Sequence, residues 1–392
     1  PLQLTVTPST DETLEFNMQV NNVIEGQQDG EALFELSLGS QDLNGTWSEA
    51  SKSMQRWHKQ FDNMRLTSVD TDPVVAIALN QFVFDHDLAI DGDDNWQQKN
   101  TLMLADLSFA LDEERISLEN IDSEIVFNGS EYSQLIALSE TLQSKLEDSA
   151  KGNQDSTAVI KDMGDFLNLF GNYRTTLNAY GLVMRTGEDV LAKIDRFNFA
   201  NSLQQNNGKE TTKFDYRIAL DGIDSGLGVL PNELLPQQLR LEMVVNNIPA
   251  RLAERLAEIG LSNADSDELP RQLMVELMSS ELQLDIIDTY IASIAARTDI
   301  DAHAEVNPQS SLGATANILL RVEGLPTLIE SSGLSQIPAV APMLVMLGAF
   351  SIRTEENGQT IDSFDLSLTE EGRLMLNGKD VTAMFMPGAG IK

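Results

Sequence analysis

The chain has 392 residues, 42% of them hydrophobic, and sets 61 acidic side chains against 26 basic ones, a formal charge of −35. That length holds two or three domains or one elongated one, with apolar residues enough for a core. A field of this sign repels phosphate backbones and anionic lipid surfaces, so a nucleic-acid partner is not expected, and the lack of cysteine excludes disulfides, thiol nucleophiles and thiolate metal sites.

Residues 2–44 alternate and predict strands. Leu14, Phe16, Met18 and Val20 sit between polar neighbours, and Leu33, Phe34, Leu36 and Leu38 form a second run. Thr46–Phe61 switches to helical spacing, with Trp47, Ala50, Met54, Trp57 and Phe61 on one face. Strands are predicted again at Val74–Leu79, Phe82–Ile90, Leu102–Leu111, Ile116–Leu118 and Ile125–Phe127, with a turn at Asp91–Asn95. From Ser130 to about Lys193 the spacing predicts helices. The first carries Tyr132, Leu135, Ile136, Leu142 and Leu146; the second follows a polar break at Lys151–Ser156 and carries Val159 to Phe170.

Strands resume at Arg196–Phe199, Phe214–Leu220 and Leu239–Val245. Pro249–Ile259 reads as a short amphipathic helix, opened by proline and followed by Gly260. Leu269 to about Ala296 reads as helix first, with Leu282–Ile287 open to strand. Alternation returns at Ala302–Val306, Ala314–Val322, Phe350–Arg353, Ile361–Leu368 and Arg373–Leu376. The most apolar run, Ile337–Phe350, carries two prolines and falls short of the ~20 residues a spanning helix needs. It predicts a buried core helix, with a lipid-contacting helix as the alternative, and no transmembrane helix is expected anywhere.

One pattern recurs. A strand ends in an aliphatic residue, then Asn, Asp or Glu, then Asn or Gly, then another aliphatic: Val20–Val23, Leu118–Ile121, Leu220–Ile223, Val245–Ile248 and Val322–Leu325. Asn and Gly tolerate the positive φ of a strand-ending turn. The pattern is either ordinary punctuation or a structural unit of strands plus a short helix, used more than once.

Candidate chemistry is sparse. His58, His86 and His303 lie far apart, and none has a spaced second histidine for zinc. The acidic stretch Phe84–Asn95 offers Asp87, Asp91 and Asp93 as weak calcium ligands, without EF-hand spacing. There is no nucleophile elbow, P-loop, dinucleotide fingerprint or metalloprotease motif, so no catalytic residue is assigned, no cofactor is expected and the chain reads as non-enzymatic. Trp47 and Trp57 read as core or as an aromatic platform. Met343 and Met346, with Phe350, belong to an apolar stretch that fills a core or lines an adaptable apolar surface.

The C-terminal stretch carries a resemblance. It runs NILLRVEGLPTLIESSG (Asn317–Gly333), then an apolar helix, then FDLSLTEEGRLMLNGKDV (Phe364–Val381). This ending resembles that of the YdgA-like family and a related uncharacterised family of bacterial periplasmic proteins, over roughly the last fifth of the chain. The resemblance implies an extracytoplasmic, β-rich, elongated protein. No leader peptide is visible from Pro1 onward, which fits an extracytoplasmic protein whose leader is removed and equally a cytoplasmic one; with the resemblance, the periplasm is the expected location. The expected fold is α+β: long antiparallel meanders forming a curved sheet with helices packed on one face. Its expected parts are a β-rich region at 1–129, a helical segment at 130–195 and a second β-rich region at 196–392. The expected function is binding of a lipid or other apolar small molecule in a groove between sheet and helices, with Trp47, Trp57, Met343, Met346 and Phe350 as its surface. The alternative is a structural or protein-interaction subunit of an envelope complex, its acidic surface steering a partner.

Overall fold

Alternation of apolar and polar residues, which the sequence shows along most of its length, has one low-energy outcome: strands with one face dry. A computed structural model describes residues 3–9, 12–28, 31–69, 74–150, 169–205, 211–226, 233–249, 277–330, 348–356 and 358–385. It is 70% strand and 10% helix, all pairing antiparallel. The chain divides into an N-terminal unit, Pro1–Ser202 with Asp224–Leu227, and a C-terminal unit, Leu203–Ile223 with Gly228–Lys392.

The N-terminal unit begins with β1 (Gln3–Pro8), β2 (Thr13–Gln19), β3 (Val23–Gln28), β4 (Glu31–Ser37) and β5 (Gln41–Ser48). A meander of long strands follows: β6 (Ser53–Ser68), β7 (Val75–Ile90), β8 (Trp96–Leu111), β9 (Glu114–Gly129) and β10 (Phe170–Thr186). Each pairs with the next. β6 is long enough to seat two short strands end to end on its other edge, β5 against Ser53–Phe61 and β4 against Arg65–Ser68. β11 (Asp189–Gln205) pairs with the two-residue β13 (Asp224–Ser225). Helix α1 (Tyr132–Ala150) docks through Tyr132 and Leu135 on Trp96, beside Leu88, Ile90 and Phe127.

The C-terminal unit runs β12 (Thr211–Asp221), β14 (Gln238–Pro249), β15 (Gln283–Ala292), β16 (Arg297–Val306), β17 (Ala314–Glu323) and β19 (Gln359–Leu368), paired in that order. The far edge of β19 is again shared, by β18 (Ile352–Glu356) and β20 (Leu374–Leu376). β20 turns into β21 (Lys379–Asp380) through Asn377 and Gly378, both at positive φ, as an Asn-Gly hairpin turn requires. The helices here include the six-residue α2 (Leu325–Glu330) and the single turn α3 (Thr382–Phe385). Leu325, 2% exposed, joins Val322, Phe364, Leu376 and Val381 in a solid core.

The α+β expectation is overturned: the protein is nearly all antiparallel sheet, and among the described residues its few short helices make no covering layer. Thr46–Phe61 is not a helix but the β5–β6 hairpin. Its helical spacing is fortuitous, because Arg56, His58 and Gln60 alternate with Trp57, Lys59 and Phe61, and a bulge near Thr46 and Trp47 shifts the count. The helical reading to Lys193 holds for α1 and fails from Phe170, where β10 and β11 stand. Leu282–Ile287 resolves to strand, in β15. Of the helices expected at Val159–Phe170, Pro249–Ile259 and Ile337–Phe350, residues 159–168, 250–259 and 337–347, including Met343 and Met346, lie outside the described residues, and Pro249 ends β14.

Of the five recurrent turn motifs, three place their third residue at positive φ: Gly222, Asn247 and Gly324. A Cβ at Gly324 would stand 2.3 Å from the Ala295 carbonyl oxygen, so the V-E-G-L turn accepts only glycine. The L-E-N-I copy does not turn, since Asn120 lies inside β9 opposite Ala105.

Candidate functional site

The register of β6–β10 stacks apolar side chains in rows. Phe61 pairs with Phe82, Phe82 with Leu104, Leu104 with Ile121 and Ile121 with Ala179. The next row runs Lys59, Phe84, Leu102, Ser123 and Leu177. These side chains are half-buried. The opposite face at the same level is polar and internally paired. His58 Nδ1 lies 2.6 Å from Asp85, Arg56 faces Asp87 at 3.6 Å, and Glu124 takes Lys99 and Arg174 at 2.7 Å each. The Lys99 ammonium, then the Arg174 guanidinium, hold the Glu124 carboxyl below its ordinary range.

The pairing then steps over one residue in each strand. It passes from Asp62–Gln81 to Met64–Leu79, from Gln81–Ala105 to Leu79–Leu107, and from Ala105–Asn120 to Leu107–Leu118. The residues passed over form a transverse row, Asn63, Asn80, Asp106 and Glu119, and Gly181 closes it in β10. The first four are exposed, Asn80 donates to Asp106 at 2.9 Å, and Asn63, Asp106 and Gly181 have positive φ. Glu119 lies over Gly181, where a Cβ would meet its carboxyl carbon at 2.4 Å.

Beyond this row the apolar positions change parity in every strand: Met64 and Leu66, Ile77 and Leu79, Leu107 and Phe109, Ile116 and Leu118, Leu182 and Met184. One unpaired residue per strand re-phases the pleat. The parity change in the sequence and the step in the ladder therefore cancel, and the apolar set keeps to one face along the full strand length.

Trp57 sits on this face and Trp47 on the neighbouring β5. Trp57 meets Phe16 edge-on at 6.2 Å across Gly45, where a side chain would strike the Phe16 ring and the Arg56 carbonyl. Trp47 pairs with Leu14 and Met54 instead. His86, opposite Trp57, contacts Asn100 at 2.8 Å and the Met54 carbonyl at 3.1 Å. Phe350 lies far along the chain, half-buried against the C-terminal core. The structure thus brings Trp57, but not Phe350, onto the face.

The acidic turn has a structural occupation. Asp91 accepts from the Asp93 and Asn95 N–H groups at 2.9 and 3.0 Å, and the Asn95 amide is the main reason its carboxyl is held below the ordinary range. Asp94 accepts from the Ser133 N–H at 3.1 Å and caps the first turn of α1. Asp87 faces Arg56. Among the described residues no group of three or more His, Asp or Glu side chains is placed to hold a metal ion.

The C-terminal unit has a matching apolar face, with rows such as Phe214, Val245, Leu284, Ala304, Ala316 and Leu368. It also has a recess of about 360 Å³ lined by Ile294, Ala295, Arg297, Glu323, Gly324 and Gln359. Its charges are spent locally: Arg297 on Asp299 at 2.7 Å and Glu323 on the Gln359 amide at 2.6 Å.

Sequence reasoning did not single out Lys59 or the row Asn63–Asn80–Asp106–Glu119–Gly181. A signal for the row exists: the reading split β7 at Asn80–Gln81 and β9 at Glu119–Glu124, where the parity changes. No protein-family model, curated protein or solved structure matches this chain, and no described helix is long and apolar enough to cross a membrane.

Proposed function

We propose that this chain is a non-enzymatic bacterial envelope protein that carries a lipid or other acyl-chain ligand on the apolar face of its N-terminal unit. The observation behind this reading is the re-phased ladder. Across that row each of the five strands leaves a residue unpaired, at positive φ in Asn63, Asp106 and Gly181, and with the change of parity this keeps Phe61, Phe82, Leu104 and Ile121 on the same side as Met64, Leu79, Leu107 and Leu118. A long dry strip suits a flexible chain that is recognised by area rather than by directed bonds. The C-terminal resemblance to periplasmic families supports the compartment.

The test is organic extraction and native mass spectrometry of the purified full chain, followed by titration with oleyl alcohol. Co-purifying acyl lipid or saturable binding supports the reading. A protein that carries no lipid and leaves oleyl alcohol unbound removes it. The interaction-subunit reading draws on other residues: Leu4 and Val6 of β1 and Val23, Ile24 and Phe34 of β3–β4 are exposed. Light scattering separates the two, because a strict monomer that binds lipid leaves the second without support.

A further inference from the structure

Lys59 is out of place. It stands in the row Lys59, Phe84, Leu102, on the apolar face, with its ammonium 3.6 Å from the Trp57 ring centroid and 5.2 Å from that of Phe84. In a chain with 61 acids, the cations of the opposite face find carboxylates: Arg56 finds Asp87, and Lys99 and Arg174 find Glu124. Among the described residues Lys59 has none. Two ring faces recover only part of the hydration that a half-buried ammonium gives up, since a cation–π contact contributes about 0.5–2 kcal/mol. Beside it, the Trp57 indole N–H is buried with no acceptor among the described residues. The side chains paired with Lys59, Leu43 and Phe84, are apolar, and the nearby His86 ring is engaged by Asn100 and the Met54 carbonyl, so what the ammonium lacks among the described residues is an anionic oxygen.

We propose that Lys59, held over the Trp57 ring, anchors the carboxylate of a fatty-acid-type amphiphile whose chain extends across Phe84, Leu102 and Leu104. The inference rests on the apolar-face reading above and gives its ligand a head group. The overall charge opposes an anion at long range, but screening confines that opposition to about 8 Å at physiological ionic strength. At contact the nearest charge decides, and the nearest charge is Lys59.

The experiment is calorimetric titration of the full chain, and of its Lys59→Met, Lys59→Arg and Lys99→Met variants, with oleate and with oleyl alcohol. These two probes share a chain and differ in head-group charge. Circular dichroism checks that each variant is folded. The expected result is oleate bound at least tenfold tighter than oleyl alcohol by the native chain, that preference lost in Lys59→Met, kept in Lys59→Arg, and untouched by Lys99→Met on the opposite face. Lys59→Met binding oleate as tightly as the native chain overturns the anchor while leaving the apolar face standing. A native chain that binds neither probe overturns both.

Discussion

The two units solve the same problem differently. Each is an antiparallel ladder with one apolar face, and each has a long strand, β6 or β19, whose edge is shared by two shorter strands. In the C-terminal unit the apolar face closes into a core around α2 at β17, β19 and β20, while its rows over β12–β16 stay half-buried, and the core's fully buried charge is satisfied: Asp362, 0% exposed, accepts from Ser351 at 2.8 Å and from Arg353 at 3.0 and 3.3 Å. In the N-terminal unit the face stays half-buried over the meander, α1 docks beside Trp96, and among the described residues Lys59 has no carboxylate and the Trp57 indole N–H no acceptor. The contrast teaches where to look for work. The difference is local, a closed core around α2 against a cation without a carboxylate on the meander face, and the second is where we propose that the ligand sits.

Mutations sharpen this comparison. The largest effect belongs to the finished core: Leu325→Ala should cost about 3–4 kcal/mol in urea unfolding, because the site is almost fully enclosed and cannot collapse. A cost below 1 kcal/mol would erase the distinction between the units. Asp362→Asn should cost about 2 kcal/mol, since charge-assisted bonds from Ser351 and Arg353 are weakened in a dry setting. The re-phasing row of the N-terminal unit should respond less. Gly181→Ala should lose about 1 kcal/mol through its positive φ, with Glu119 free to move aside, and lipid binding should weaken with it if the row aligns the face.

The smallest effect is shared by both units. Glu124 is held below the ordinary carboxyl range by Lys99 and Arg174, and Glu242 by Arg217 and Arg240. A depressed folded pKa adds stability that is fully present above the unfolded value of about 4.3 and is lost as pH falls through the lower folded value. Thermal unfolding from pH 6 to pH 3 should therefore show an acid-dependent loss, and Glu242→Gln should flatten it, by under about 1 kcal/mol because Arg217 is half-exposed. Equal flattening by Glu124→Gln would show the polar faces of the two units to be equivalent, leaving the difference between them to their apolar faces.

Much of the fold was legible where local chemistry is strict. Asn377–Gly378 announces its hairpin, Gly324 its turn, and alternation marks the strands of both units. The errors share one cause. At Trp47–Phe61 and from Phe170 onward, spacing that fits a helix face also fits a strand broken by a bulge or turn, and only a partner strand distinguishes them. Trp57 could be named from sequence as an aromatic on an apolar face. Lys59 could not, because a lysine beside a tryptophan is unremarkable until the carboxylates around it are located.

By itself the sequence determined that this protein is β-rich, acidic, cysteine-free and built with one dry side to each ladder, because alternation and turn residues act over a few neighbours. Tertiary structure decided which face each residue joins and which charges meet. Both depend on strand register, and register aligns residues dozens of positions apart: Lys59 with Phe84 and Leu102, Asn63 with Asn80 and Asp106. No local preference encodes those pairings; they follow from burying the apolar residues of five strands on one face at once.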